Sequence, residues 1–265
     1  MKRILAFVLL IAFTVISVSA QTTDPNNAFR AGLAAYQSGD YALAVTQYNI
    51  AIAQDPTRGY FYYNRGLALT ASGNTAGGLA DFQKSNELNP SAQASYQMGM
   101  IYYQNKQMDA AKAAFENAKM IKDDLDAMNF YLGMIYFKQN DFEDEEKCFS
   151  LYTEHVKNNP EAYYFRGFCE AKNGKYPEAI KSLKYALMYK DRDWKFYYKM
   201  YEVYDALNDK QNALNNISMV IEIGEHKPEY YEIRSKLYTD MGDEYRASED
   251  MAKARELQQT GAATK

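Results

Sequence analysis

The chain has 265 residues, 47% of them hydrophobic, with 25 Tyr and 13 Phe but one Trp. That length is ample for a large core, and a formal charge of −4 supplies no basic field to attract a phosphate backbone, so nucleic acid is not an expected partner. His155, His226, Cys148 and Cys169 are the only His and Cys residues, which leaves little material for a metal site or catalytic constellation; neither a cofactor nor an enzymatic activity is expected.

The first segment, MKRILAFVLLIAFTVISVSA (residues 1–20), reads as a cleavable export signal. Lys2 and Arg3 form its positive end, Ile4 to Val18 its apolar run, and Val18 and Ala20 are the small residues ahead of a cut before Gln21. The run is shorter than the ~20 apolar residues that span a bilayer, and no Cys stands beside the cut to carry a lipid. An exported protein, periplasmic or extracellular, with no membrane span in the mature chain is expected; an uncleaved anchor is the alternative.

From Pro25 onward the chain repeats itself. Glycines recur at Gly32, Gly66, Gly99, Gly133 and Gly167, and the same spacing continues onto Tyr201 and Ser235. Six to eight residues after each comes a turn signal: Gly39-Asp40, Gly73-Asn74, Asn105-Lys106, Asn140-Asp141, Gly174-Lys175, Asn208-Asp209 and Gly242-Asp243. About twelve after the series position stands a small residue in six copies, from Ala44 to Ala247. Four later comes a large apolar one: Tyr48, Phe82, Phe115, Phe149, Leu183, Ile217 or Met251. Two helices of about a dozen residues joined by a tight turn fill such a period, and the small residues let their backbones approach. This spacing predicts an all-α array of seven hairpins over residues 25–257, followed by a disordered tail at 258–265. Ser248, Ala252 and Arg255 would give it a polar last face.

The segments YYNRGLALTASGNTAGGLADFQKSNELNP (Tyr62–Pro90) and YYFRGFCEAKNGKYPEAIKSLKYAL (Tyr163–Leu187) carry aromatic, Leu, Gly, small and Phe-like residues in the order of the tetratricopeptide repeat signature. The chain resembles that family, as an exported bacterial member, over nearly its whole mature length. The resemblance implies a right-handed superhelical solenoid whose first helices line a concave groove. It also implies that the residue three before each series position points into that groove. Those residues are Phe29, Tyr63, Tyr96, Phe130, Tyr164 and Tyr198, followed by Glu232. The residue after the series position adds Leu33, Leu67, Met100, Met134 and Phe168, then Glu202 and Lys236; three further on come Tyr36, Tyr103 and Phe137.

Core packing is the competing use for these rings. Adjacent helical residues differ by about 100° in direction, so one ring of each Tyr-Tyr pair should be buried, namely Tyr62, Tyr163 and Tyr197, and its neighbour should face the groove. The expected function is a non-catalytic scaffold binding an extended or helical peptide with apolar side chains. The alternative is a structural or accessory subunit of a cell-envelope assembly or secretion complex, using its convex surface or self-association. Lys138, Lys172 and Lys195 are expected as solvated lysines. The fourth copy departs from the pattern. It carries Glu145 where its siblings have Ala or Gly, and a buried, unpaired Glu is costly, so its second helix is expected to be displaced. Cys148 and Cys169 are expected as free packing thiols.

Overall fold

A computed structural model describes residues 24–122, 126–224 and 226–263; the segment read as an export signal lies outside them. Among the described residues the regular structure is entirely helical. Two compact units divide the chain, one ending at Pro90 and the other beginning at Ser91. The first contains α1 (Pro25–Gln37), α2 (Tyr41–Gln54), α3 (Gly59–Ala71) and α4 (Thr75–Leu88). The second contains α5 (Ala92–Gln104), α6 (Met108–Ile121), α7 (Asp126–Gln139), α8 (Phe142–His155), α9 (Pro160–Lys172), α10 (Tyr176–Tyr189), α11 (Trp194–Ala206), α12 (Lys210–Ile223), α13 (Pro228–Asp240) and α14 (Glu244–Ala263). Each odd-numbered helix forms a hairpin with the even one that follows.

The hairpin turns are set by backbone chemistry. One residue in each adopts positive φ: Gly39, Gly73, Gly174 and Gly242, and at the same place Lys106, Asn140 and Asn208. Glycine enters this left-handed region freely and Asn tolerates it, whereas Lys does so under strain. The second helix then opens on a cap, as where Asp40 accepts from the Leu43 amide at 3.0 Å and Asn74 from Gly77 at 3.0 Å. Close approach of the paired helices explains the glycine series. A Cβ on Gly99 would lie 2.6 Å from the Phe115 ring, well inside contact distance. Tyr48, Phe82, Phe115, Phe149, Leu183 and Ile217 are fully buried opposite the series and form the middle of each hairpin.

Two buried aspartates in this core are each paired with an arginine. Arg65 donates from Nε and Nη2 to the two carboxylate oxygens of buried Asp81, at 2.7 and 2.6 Å. Arg234 repeats the arrangement on Asp250 at 2.7 and 2.7 Å. Bidentate pairing of this kind keeps a buried carboxylate compensated.

Two expectations need correction. Helix α8 is not displaced: Glu145 is 0% exposed and the helix runs unbroken through it. Burial pushes its carboxyl up to about 8, with Asp141 adding to the shift and the nearby Cys169 thiol opposing it. Cys169 Sγ donates to the Phe165 carbonyl at 3.0 Å, and neither Glu145 oxygen has a hydrogen-bond partner among the described residues. The acid is accommodated in its neutral form, which removes most of the penalty that displacement would have avoided. Second, α14 runs on to Ala263, so residues 258–263 continue the helix. Gln258, Gln259, Ala262 and Ala263 favour the helix while Thr260 and Gly261 do not; the Gln258 amide donates to Glu232 at 2.7 Å, and Thr260 Oγ1 donates back to the Glu256 carbonyl at 3.1 Å. Ser248, Ala252 and Arg255 are exposed on α14, and Cys148 and Cys169 are buried free thiols.

Candidate functional site

On each odd helix from α1 to α9 the expected groove residues fall at i and i+4, with a third at i+7 on α1, α5 and α7, and so share one stripe. The structure leaves every one of them half-buried: Phe29, Leu33 and Tyr36 on α1; Tyr63 and Leu67 on α3; Tyr96, Met100 and Tyr103 on α5; Phe130, Met134 and Phe137 on α7; Tyr164 and Phe168 on α9; Tyr198 on α11. None is sealed in the core and none stands free in solvent.

A recurrent contact holds the first ring of each stripe. Phe29 lies 5.7 Å from Tyr48, Tyr63 5.7 Å from Phe82, Tyr96 5.8 Å from Phe115 and Phe130 5.8 Å from Phe149. Each ring rests on the core ring of its own hairpin and keeps the rest of its surface accessible. The fifth and sixth hairpins have aliphatic Leu183 and Ile217 at that core position. There the ring leans on the next odd helix: Tyr164 stacks on Phe196 at 5.1 Å, and Tyr198 lies 5.6 Å from Tyr230. Burial pushes the Tyr164 hydroxyl up to about 12, with Glu202 and Asp193 adding to it, and raises Tyr96, Tyr103 and Tyr198 as well. These tyrosines therefore stay neutral hydroxyls, able to donate and accept hydrogen bonds. Of the adjacent rings expected to be buried, only Tyr163 is; Tyr62 and Tyr197 are half-buried, Tyr62 lying 5.4 Å beneath the Arg65 guanidinium.

Between α9 and α11 the stripe borders a cavity of about 380 Å³ lined by Phe168, Lys172, Tyr176, Lys199, Glu202 and Val203 among others. Lys199 Nζ sits 4.0 Å over the Phe168 ring and pairs with Glu202, while Lys172 Nζ lies 5.6 Å from the same ring. Lys138 and Lys195 likewise stand over Tyr103 and Trp194, at 5.2 and 5.9 Å. Lys138, Lys172 and Lys195, expected as solvated lysines, are exposed yet lie over π faces, an attraction worth roughly 0.5–1 kcal/mol at such sites. Lys199 is the residue that sequence reasoning missed. Its contact with Phe168 crosses from one hairpin to the next, and only its spacing to Glu202 hinted at a role.

Outside this stripe the titratable groups form local pairs. His155 Nδ1 lies 2.6 Å from Asp126 and His226 Nδ1 lies 3.2 Å from the Tyr231 hydroxyl. Among the described residues no cluster of His, Cys, Asp and Glu could hold a metal ion, and no helix is long and apolar enough to cross a membrane.

Known proteins share parts of this arrangement. Tetratricopeptide repeat family models match residues 29–92 and 92–124. A photosystem I assembly protein, Ycf3, of Acaryochloris marina is 34% identical over 106 residues, 38% of this chain and 64% of that protein. The chain spans less than two thirds of the length of the curated relatives it matches. Among solved structures, YrrB, a repeat protein described as having an unusual peptide-binding site, superposes with a TM-score of 0.63 at 22% identity, over 66% of this chain and 91% of its own. The C-terminal part of a repeat-containing protein from Cytophaga hutchinsonii gives 0.63 at 18% identity, over 88% and 96%. Tetratricopeptide repeat models thus match residues 29–124, and solved tetratricopeptide repeat proteins share the all-α fold.

Proposed function

We propose that this protein is a non-catalytic scaffold whose half-buried aromatic stripe on α5 to α11 receives an extended or helical peptide carrying apolar side chains. One observation carries the reading: the four consecutive odd helices α5, α7, α9 and α11 of the second unit present a ring at the same position, each anchored on one side and accessible on the other, and α1 and α3 of the first unit do the same within that unit. Rings held in place lose little freedom when a partner docks, and they bury large area per residue. Proteins of this fold are generally protein-interaction scaffolds, and the likeness to a structure described by its peptide-binding site supports the same use here. An exported location belongs to the proposal, as does a C-terminal change of character, where Glu202 and the lysines around Phe168 would favour polar groups next to the apolar stretch.

The test is replacement of Tyr96, Tyr164 and Tyr198 together by Ala, with helicity checked by circular dichroism, followed by binding to a displayed library of apolar peptides. Each lost ring should cost on the order of 1 kcal/mol, so selected peptides should weaken by roughly 100-fold or more. Peptides that bind the variant as well as the parent would remove the basis of the proposal. They would favour the accessory-subunit reading, in which other surfaces or self-association matter.

A further inference from the structure

Three hairpins carry an arginine immediately before the glycine-series position: Arg65, Arg166 and Arg234. In the second and seventh, Nε and Nη2 are spent on an aspartate of the even helix, while Nη1 reaches the preceding hairpin, to Asn49 Oδ1 at 2.7 Å and Ser218 Oγ at 3.5 Å. The fifth hairpin has Ser182 where the others have Asp81 and Asp250. Arg166 keeps its outward bond, Nη1 donating to Thr153 Oγ1 at 3.1 Å, and Nε donates to Glu170 of its own helix at 2.9 Å. Nη2, which binds aspartate in both siblings, has no partner here among the described residues.

Arg166 borders a cavity of about 350 Å³ between α8, α9 and α10, on the side of α9 away from Tyr164 and Phe168. Its base is polar and buried, with Thr153, Glu170 and Ser182 all under 5% exposed. Its wall is a stack of tyrosines in which Tyr185 and Tyr189 lie 5.2 and 6.3 Å from buried Tyr163. Tyr185 and Lys181 also line an adjoining groove over Ile180 and Met188, the latter 71% exposed.

We propose that this cleft is a second binding site, separate from the aromatic stripe, for a carboxylate attached to an aromatic or other apolar group. The carboxylate accepts from Arg166 Nη2, one of the two donors that hold Asp81 and Asp250 in the sibling hairpins, and the apolar group lies against the tyrosine stack and along α10. Glu170 is the group that could repel such a ligand. Both its oxygens are already engaged, Oε1 by Arg166 and Oε2 by the Ser182 hydroxyl at 2.6 Å. At the mouth, exposed Lys157 and Lys181 stand against exposed Glu154 and Glu178. Recognition therefore rests on a directed donor and ring contact, with no net charge attraction.

The full chain is titrated by NMR with N-acetyl-phenylalanine and with its neutral amide. The acid should bind at least tenfold more tightly than the amide. Glu170→Leu combined with Ser182→Asp rebuilds the second hairpin's own set, Leu69 and Asp81, and should fold with unchanged helicity while weakening the acid at least tenfold. A doubly blocked Asp-Phe dipeptide, titrated alongside, separates a side-chain carboxylate from a chain terminus; binding of either supports the site. Equal affinity for acid and amide, undiminished acid binding by the double variant, or no binding of any carboxylate probe overturns it.

Discussion

In the second hairpin Gly78 sits 2.9 Å, as measured from the Cβ it lacks, from the Gly66 carbonyl, and buried Asp81 is gripped by Arg65. In the fourth hairpin the corresponding residues are Glu145, Leu132 and Cys148, and the buried acid has no arginine within its hairpin to hold it. Both hairpins keep the same helices and the same buried phenylalanine, Phe82 or Phe149. The difference shows two ways for one interior to hold a carboxyl group: as an anion when a guanidinium is built beside it, or as a neutral acid when none is.

The largest effect expected from this comparison lies in the second hairpin. Asp81→Ala leaves Arg65 partly buried without its counter-charge and should destabilise the protein by about 3 kcal/mol in denaturant unfolding. Replacing both partners by apolar residues should recover most of that loss. A cost near zero for Asp81→Ala would show that the pair contributes little and would break the contrast with the fourth hairpin.

Glu145 should behave in the opposite sense. Its folded-state pKa is raised from 4.5 to about 8, so the folded chain binds a proton that the unfolded chain releases. Its favourable contribution is complete below about pH 4.5 and is lost as pH rises towards 8, beyond which the cost is constant. At neutral pH that proton uptake costs roughly 3 kcal/mol, and Glu145→Ala should return on the order of 2 kcal/mol of it. Glu145→Gln should flatten stability between those pH values; a slope unchanged by Gln would mean that another group carries it. Hydrogen exchange of α8 amides at pH 6 and pH 8.5 reads the same effect locally.

Smaller effects extend the comparison to the neighbouring hairpins. Among the described residues Tyr48 carries a buried hydroxyl without a hydrogen-bond partner, at the place where Phe82 and Phe149 have no hydroxyl to satisfy. Tyr48→Phe should leave stability unchanged or raise it by about 1 kcal/mol; a clear loss in thermal unfolding would reveal a partner for that oxygen. The turn residue is Gly73 in the second hairpin, Asn140 in the fourth and Lys106 in the third, all at positive φ. Lys106→Gly should stabilise by roughly 0.5–1 kcal/mol, and Asn140→Gly by less. Equal gains at the two positions would count against the residue ranking used here.

What the linear chain determined by itself was everything whose cause lies within one period. The helix pairs, their turns, the small residues facing large ones and the half-buried ring on each odd helix follow from spacings of three, four and thirty-four residues, because a helical hairpin is a local object. Stacking decided the rest. Whether Tyr62 or Tyr163 is buried, whether Glu145 is tolerated, and whether Lys199 reaches Phe168 depend on which atoms an adjoining helix brings near. The recurrence of Arg sixteen residues before Asp, at Arg65–Asp81 and Arg234–Asp250, was written in the chain. Its meaning came only from the paired helices that bring each guanidinium to its carboxylate, since attraction between charges depends on distance in space and not on distance along the backbone.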